Sequence, residues 1–188
     1  RFQLSPACPR PDRLRKINLH RYICWNGLAP TTAALVKVTT GTSIKTMLQI
    51  ATPSTRMIQL IAWGYTLDAV PASAGQVEVL QVDVAATVTA HVAAGLVPIP
   101  AGANFPNSLM TLGTTTATGY TSSSEGTPTA SRLFDANLVP PSAGATDLNY
   151  DYEWMPDARP VVDPSKFLRV RATFGSAVNM NCYVVWDE

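Results

Sequence analysis

Over most of the chain the apolar side chains return at every second position, and that period decides most of what the chain can become. Leu148, Tyr150, Tyr152 and Trp154 share one parity, with Asn149, Asp151 and Glu153 between them. Leu168, Val170 and Ala172 alternate with Arg169 and Arg171. Met180, Cys182, Val184 and Trp186 close the chain in the same way. Ile44, Thr46, Leu48 and Ile50 alternate with Lys45, Met47 and Gln49, and Val36 and Val38 flank Lys37. Successive side chains of a strand point to opposite faces, so this pattern builds half-buried strands rather than the apolar stripe of a helix.

The departures from strict alternation carry information too. Residues 56–68 are apolar at both parities, which suits a strand with core on one side and a contact on the other. Gly64 inside that run predicts a bulge or a close backbone approach. Val77 and Val79 are out of phase with Leu80, Val82 and Val84, which predicts a β-bulge near 79–80. Residues 85–97 mix alanine with Thr87, Val88, Thr89 and Val92, and the β-branched residues favour strand. Residues 98–146 are rich in Pro and Gly and contain the polar run 114–131, so they are expected to form a long loop or insertion, contacting a partner or simply solvated. About eight strands joined by Gly/Pro turns, with no amphipathic helix, predict an all-β chain: a jelly-roll-like antiparallel β-sandwich over residues 31–188.

Residues 1–30 differ. Pro6, Pro9, Pro11 and Pro30 oppose regular pairing, which predicts an extended N-terminal arm, with a short strand or helical turn on a partner over 13–25. The arm holds six basic residues against Asp12, a net of +5, whereas residues 31–188 hold eight basic and twelve acidic ones, a net of −4. Apolar residues interleave with the charges. A docking set follows in which Arg10, Arg13, Arg15, Lys16 and Arg21 pair with acidic surface while Leu14, Ile17, Tyr22 and Trp25 fill grooves. Arms that bind nucleic acid are denser in Arg and Lys, so the mixture favours a protein partner. Charged residues are only 14% of the whole, against about 25% in a typical domain. With the doubly apolar run 56–68, that scarcity suggests a surface covered by partners and a homo-oligomer, a trimer being favoured. No apolar run approaches the ~18 residues of a membrane span, so no membrane contact is expected.

Little in the sequence points to chemistry. His20 and His91 are the only histidines, and neither has a second imidazole at ligand spacing. Cys8, Cys24 and Cys182 form no Cys-x-x-Cys, and Cys182 alternates as a core residue. No nucleophile elbow or phosphate-cradling loop occurs. Asp151 and Glu153 are expected to be a solvated face or partners for basic residues, not a catalytic pair. No metal or cofactor is expected. Tyr150, Tyr152 and Trp154 form an aromatic stripe that suits a core or an oligomer interface, and alternatively a stacking platform for sugars.

Several segments, in order, carry a likeness to known proteins: Lys45-Thr46-Met47-Leu48-Gln49-Ile50-Ala51-Thr52-Pro53 with Arg56, Trp63-Gly64 with Asp68, Trp154-Met155-Pro156, Arg159-Pro160-Val161, Leu168-Arg169-Val170-Arg171-Ala172, Ala177-Val178-Asn179, and the closing Val184-Val185-Trp186-Asp187-Glu188. Together they cover about half of residues 42–188. In these the chain resembles the small β-sandwich virion proteins of tailed bacteriophages, especially actinobacteriophages. The resemblance implies a non-enzymatic decoration or cement protein on the outside of the head, bound to the major capsid protein. The basic arm and the 101–130 insertion depart from that pattern. The alternatives are a jelly-roll coat protein of a small virus with a nucleic-acid-binding arm, and a carbohydrate- or receptor-binding sandwich.

Overall fold

The computed structural model describes residues 20–28, 32, 34–99, 105–141 and 148–188. In chain order its strands are β1 (Arg21–Trp25), β2 (Val38–Thr39), β3 (Ile44–Ala51), β4 (Ile58–Leu67), β5 (Gly75–Val82), β6 (Thr87–Ala90), β7 (Leu96–Pro98), β8 (Gly119–Ser124), β9 (Ser131–Val139), β10 (Asn149–Glu153), β11 (Val161–Val162), β12 (Phe167–Phe174) and β13 (Asn179–Asp187). The first sheet runs β10–β4–β13–β1–β7, with β11 also on β4 and β2 also on β13; the second runs β6–β8–β3–β12–β5–β9. These pairings are antiparallel. The two sheets pack face to face over a core that includes Tyr22, Leu48, Ile50, Trp63, Leu168, Val170, Phe174 and Trp186.

The all-β sandwich expected from the alternation is the fold observed, and its closing strands behave as read. Leu168, Val170 and Ala172 of β12 and Met180, Cys182, Val184 and Trp186 of β13 all lie in the core. The boundary at residue 30 is corrected. β1, inside the expected arm, is a strand of the first sheet, paired with β13 from Arg21↔Asp187 to Trp25↔Tyr183. No proline falls between Pro11 and Pro30, and the alternation of Tyr22 and Cys24 with Arg21, Ile23 and Trp25 suffices to seat β1.

The 98–146 segment is corrected as well. It contains β8 and β9, and between them and β7 the described residues pack against the body: Met110 and Ala117 are buried, and Thr111 N–H donates to Ala51 O. Serine, threonine and glycine disguise this order. Gly119 lets Thr89 O approach to 2.3 Å of where a Cβ would stand, a fit that any larger residue would break.

Three bulges explain why strict alternation fails. In β4 the pairs Val185↔Ala62 and Trp186↔Leu60 leave Ile61 as an extra residue. Ile58 and Leu60 therefore share the core with Trp63, Tyr65 and Leu67 despite opposite parity. The doubly apolar run 56–68 is thus two core-facing halves, and it gives no separate sign of a contact face. In β3 the step from Val170↔Leu48 to Arg171↔Thr46 leaves Met47 extra, so Ile44 and Thr46 face away from the core that Leu48 and Ile50 enter. The irregularity expected near 79–80 is present in the β5–β9 pairing, but its extra residue is Phe134 of β9. β5 itself stays in phase against β12, so Leu80 and Val82 point away from the core.

Leu80 and Val82 are nonetheless buried, because the chain folds back over that face of the second sheet. Arg169, expected to be outside, lies on the outer face and is fully buried there. Its Nη1 donates to Glu125 O at 3.1 Å and to Glu125 Oε2 at 3.2 Å, and its Nη2 to Val84 O. Glu125 also accepts Thr46 N–H at 2.6 Å, the Thr46 hydroxyl at 2.6 Å and the Ser122 hydroxyl. Gln49 beside them donates to Ala117 O at 2.7 Å and accepts Ala86 N–H at 2.8 Å. One carboxylate thus joins the strand β3, the strand β12 and the covering segment.

Candidate functional site

Of the expected docking set, Arg10, Arg13, Leu14, Arg15, Lys16 and Ile17 lie outside the described residues. Arg21, Tyr22 and Trp25 are in β1 and have different fates. Tyr22 is fully buried, stacked 5.9 Å from Trp186 and donating its hydroxyl to Pro106 O at 2.9 Å, so it fills this chain's own core and not a partner's groove. Arg21 is half-buried in an ion pair with Asp187 at 3.0 Å, and Arg159 reaches the same carboxylate at 4.0 Å. Trp25 faces outward and is 36% exposed, so it alone of the three offers apolar area to a partner.

The aromatic stripe divides in the same way. Trp154 is buried, and Tyr150 is half-buried against Trp63 and Tyr65 at 5.3 and 5.8 Å between ring centres. Tyr150 donates to Asp135 Oδ2 at 2.9 Å, the same oxygen that accepts Trp63 Nε1–H at 3.0 Å, and Tyr65 donates to Asn137 at 2.7 Å. Burial, then that hydrogen bond, pushes the Tyr150 hydroxyl up to about 12. These groups tie β4 and β10 of one sheet to β9 of the other. Buried tyrosine and tryptophan need such partners for their polar ends. Only Tyr152, 42% exposed and edge-on to Trp154 at 5.3 Å, presents a ring to solvent.

The groups with reactive chemistry are scattered. Among the described residues no three His, Cys, Asp or Glu stand where they could share a metal ion. Cys24 and Cys182 are fully buried, and burial pushes both thiols well up, so neither supplies a thiolate. Asp151 is exposed and accepts the Tyr183 hydroxyl at 2.9 Å, while Glu153 next to it faces solvent. A hollow of about 280 Å³ is lined by Thr40, Ser43, Lys45, Ser122 and Glu125, but its carboxylate is already held by Thr46 and Arg169.

His91 is buried where the two sheets meet at one edge. Its Nε2 lies 2.9 Å from Trp25 O, its ring 4.9 Å from that of Tyr120, and Nδ1 has no hydrogen-bond partner among the described residues. Burial lowers its affinity for a proton, with the Trp25 carbonyl opposing. The unfolded chain therefore binds the second proton first, and stability present above about pH 6.5 falls as pH drops through that value. The urea midpoint should be lower at pH 5.5 than at pH 7.5 in the natural chain, and the difference should shrink in His91→Gln. Equal slopes in the two proteins would remove His91 as the cause.

What remains open is the outer face of the first sheet. Its rows read across the strands as Trp25–Tyr183–Gly64–Asp151 and Val97–Ile23–Val185–Ala62–Glu153. No protein-family model matches the chain, and searches of curated proteins and of solved structures return no match.

Function must therefore be argued from that face and the sequence. Its central glycine has a clear role. A Cβ on Gly64 would meet Asp151 Oδ1 at 2.3 Å, Tyr150 O at 2.7 Å and the Tyr183 ring at 2.8 Å. The missing side chain lets Tyr183 lie flat over the sheet, reaching Asp151 from one side and packing on Trp25 at 4.9 Å on the other. The close approach expected at Gly64 is thus present. The face as a whole was missed, because its members sit on five strands of which Ile23, Trp25 and Val97 fell in segments read as arm or ambiguous.

Proposed function

We propose that the chain is a structural virion protein of a tailed bacteriophage, binding the major capsid protein on the outside of the head as a decoration or cement protein without enzymatic activity. The observation that carries this reading is where the resembling segments fall. Lys45–Pro53 spans β3, Trp63-Gly64 lies at the tight crossing on β4, Leu168–Ala172 lies in β12, and Val184–Glu188 closes β13. These are central strands of both sheets, so the likeness extends along the framework of the sandwich and is not confined to one turn.

Adhesion by such a body rests on apolar anchors, since exposed ion pairs contribute about 0–1 kcal/mol each. Repetition over a shell multiplies weak contacts, and a trimeric cluster would multiply them further. The sugar-platform alternative loses ground because Tyr150 and Trp154 are spent on the core.

The test is a reconstruction of purified particles with and without this protein. Density for a sandwich on the outer head surface is the expected result, together with partial loss of occupancy when residues 1–19 are deleted. A protein found inside the shell, in the tail or absent from particles would overturn the reading.

A further inference from the structure

We infer that Lys37, Asp68 and Asn179 form a self-modifying site, in which the Lys37 amine displaces ammonia from the Asn179 side chain and leaves an isopeptide bond between the two residues. The three meet at one end of the first sheet. Asn179 opens β13 and pairs with Thr39 of β2, Lys37 immediately precedes β2, and Asp68 immediately follows β4 and donates its N–H to Asn179 O. Residues far apart in the chain are thus brought together by β13 and the two strands paired with it. With Thr66, Leu67 and Asn181 they line a hollow of about 250 Å³.

The atoms stand as amide exchange requires. Lys37 Nζ donates to Asp68 Oδ2 at 3.3 Å, and Asn179 Nδ2 donates to the same oxygen at 2.9 Å. One carboxylate oxygen therefore touches both the attacking and the leaving nitrogen. At the other end of the amide the Thr39 hydroxyl donates to Asn179 Oδ1 at 2.8 Å. Negative charge gathers on that oxygen when the amide carbon is attacked, and a donor placed there lowers the barrier. The two bonds also orient the amide, its nitrogen toward the carboxylate and its oxygen toward the hydroxyl. Nucleophile, base and oxyanion donor are the parts that acyl transfer needs. The Asn179 amide first, and Lys37 with it, hold the Asp68 carboxyl below the usual carboxylate range, so it is ionised and able to take a proton.

Asp68 takes a proton from the Lys37 ammonium, and the neutral amine adds to Asn179 Cγ. The carboxyl hands that proton to Nδ2 and takes a second from Nζ. The Cγ–Nδ2 bond breaks, and the new Cγ–Nζ amide remains. The second proton departs with the ammonia as ammonium, so Asp68 is regenerated and no co-reactant is consumed. Lys37 is exposed, so water competes for these bonds, and the reaction should be slow and follow folding, which supplies the proximity. The product ties the approach to β2 to the last strand. It closes a loop over most of the chain, from residue 37 to residue 179, and so removes freedom from the unfolded state. Nothing in this chemistry depends on a capsid.

The test is intact mass spectrometry of the full chain, freshly purified and after prolonged incubation, followed by tryptic peptide mapping. The mass should fall by one ammonia, cleavage after Lys37 should be lost, and a peptide pair joined through Lys37 and Asn179 should appear. Lys37→Arg keeps the charge pair but has no nucleophilic amine, so its mass should not change. Asp68→Asn removes the base and should slow the loss by about a hundredfold or more. A natural chain that keeps its full mass throughout overturns the inference, and this readout stands whether or not a variant folds. So does loss of ammonia without a joined peptide pair, which would mean an imide within the backbone. So does an unchanged rate in Asp68→Asn.

Discussion

Glu125→Ala should cost about 3–5 kcal/mol of folding stability, the usual penalty for removing one partner of a buried ion pair. Arg169 is fully buried, its guanidinium cannot shed its proton, and Glu125 supplies the nearest negative charge at 3.2 Å. Burial disfavours that positive charge while Glu125 favours it. Two carbonyl acceptors, Val84 O and Glu125 O, would remain after the substitution, but the paired carboxylate would be gone, leaving Asp83, which acts on the guanidinium through its charge alone. The same change takes the acceptor from the Thr46 hydroxyl and one of two from Thr46 N–H, which keeps Ser122 Oγ at 3.1 Å. Against a total of about 5–15 kcal/mol for a domain, the loss should be plain in urea denaturation. The double variant Glu125→Ala with Arg169→Met should recover much of it, because no charge is then buried. A single variant within about 1 kcal/mol of the natural chain would mean that the segment over the second sheet is not held by this pair.

The fate of Arg169 shows where sequence reasoning reached and where it stopped. Alternation placed it on the outer face, which is correct, since Leu168 and Val170 on either side are in the core. Alternation is a local property, however, and cannot say which outer positions are later covered by Val84 and Glu125, 85 and 44 residues away. Bulges set a second limit. One extra residue at Ile61 turned two core-facing halves of β4 into an apparent two-faced strand, and the parity of Ile58 and Leu60 against Trp63 is the only trace it leaves. The third limit is composition. Ser122, Gly119 and Thr118 look like loop material, yet hydroxyl groups bonded to neighbouring strands and a glycine under Thr89 O make the β8 region part of a sheet. For the candidate face, single residues are legible in the sequence: Trp25 as a groove-filling residue and Gly64 as a close approach. Their meeting across β1, β13 and β4 depends on long-range register, which no window of sequence contains.

Trp63→Ala should cost about 3–5 kcal/mol, whereas Tyr152→Ala should cost no more than about 1 kcal/mol. The two residues are paired through β4 and β10 and belong to one aromatic cluster, so the contrast separates anchor from ornament. Trp63 is fully buried and fills the space between the sheets, and its indole N–H reaches Asp135 of the opposite sheet. Removing it leaves a cavity and takes one of the two donors from the Asp135 oxygen that Tyr150 shares. Tyr152 is 42% exposed and has less packing to lose. Trp63→Phe keeps most of the volume and isolates the hydrogen bond, for which about 1 kcal/mol is expected because a partly buried carboxylate oxygen loses one of its two donors. Urea midpoints of the three variants check the order Trp63→Ala, Trp63→Phe, Tyr152→Ala from largest loss to smallest. Should Tyr152→Ala prove as damaging as Trp63→Ala, the stripe would be packed throughout, and no aromatic surface would be left at that edge for any partner.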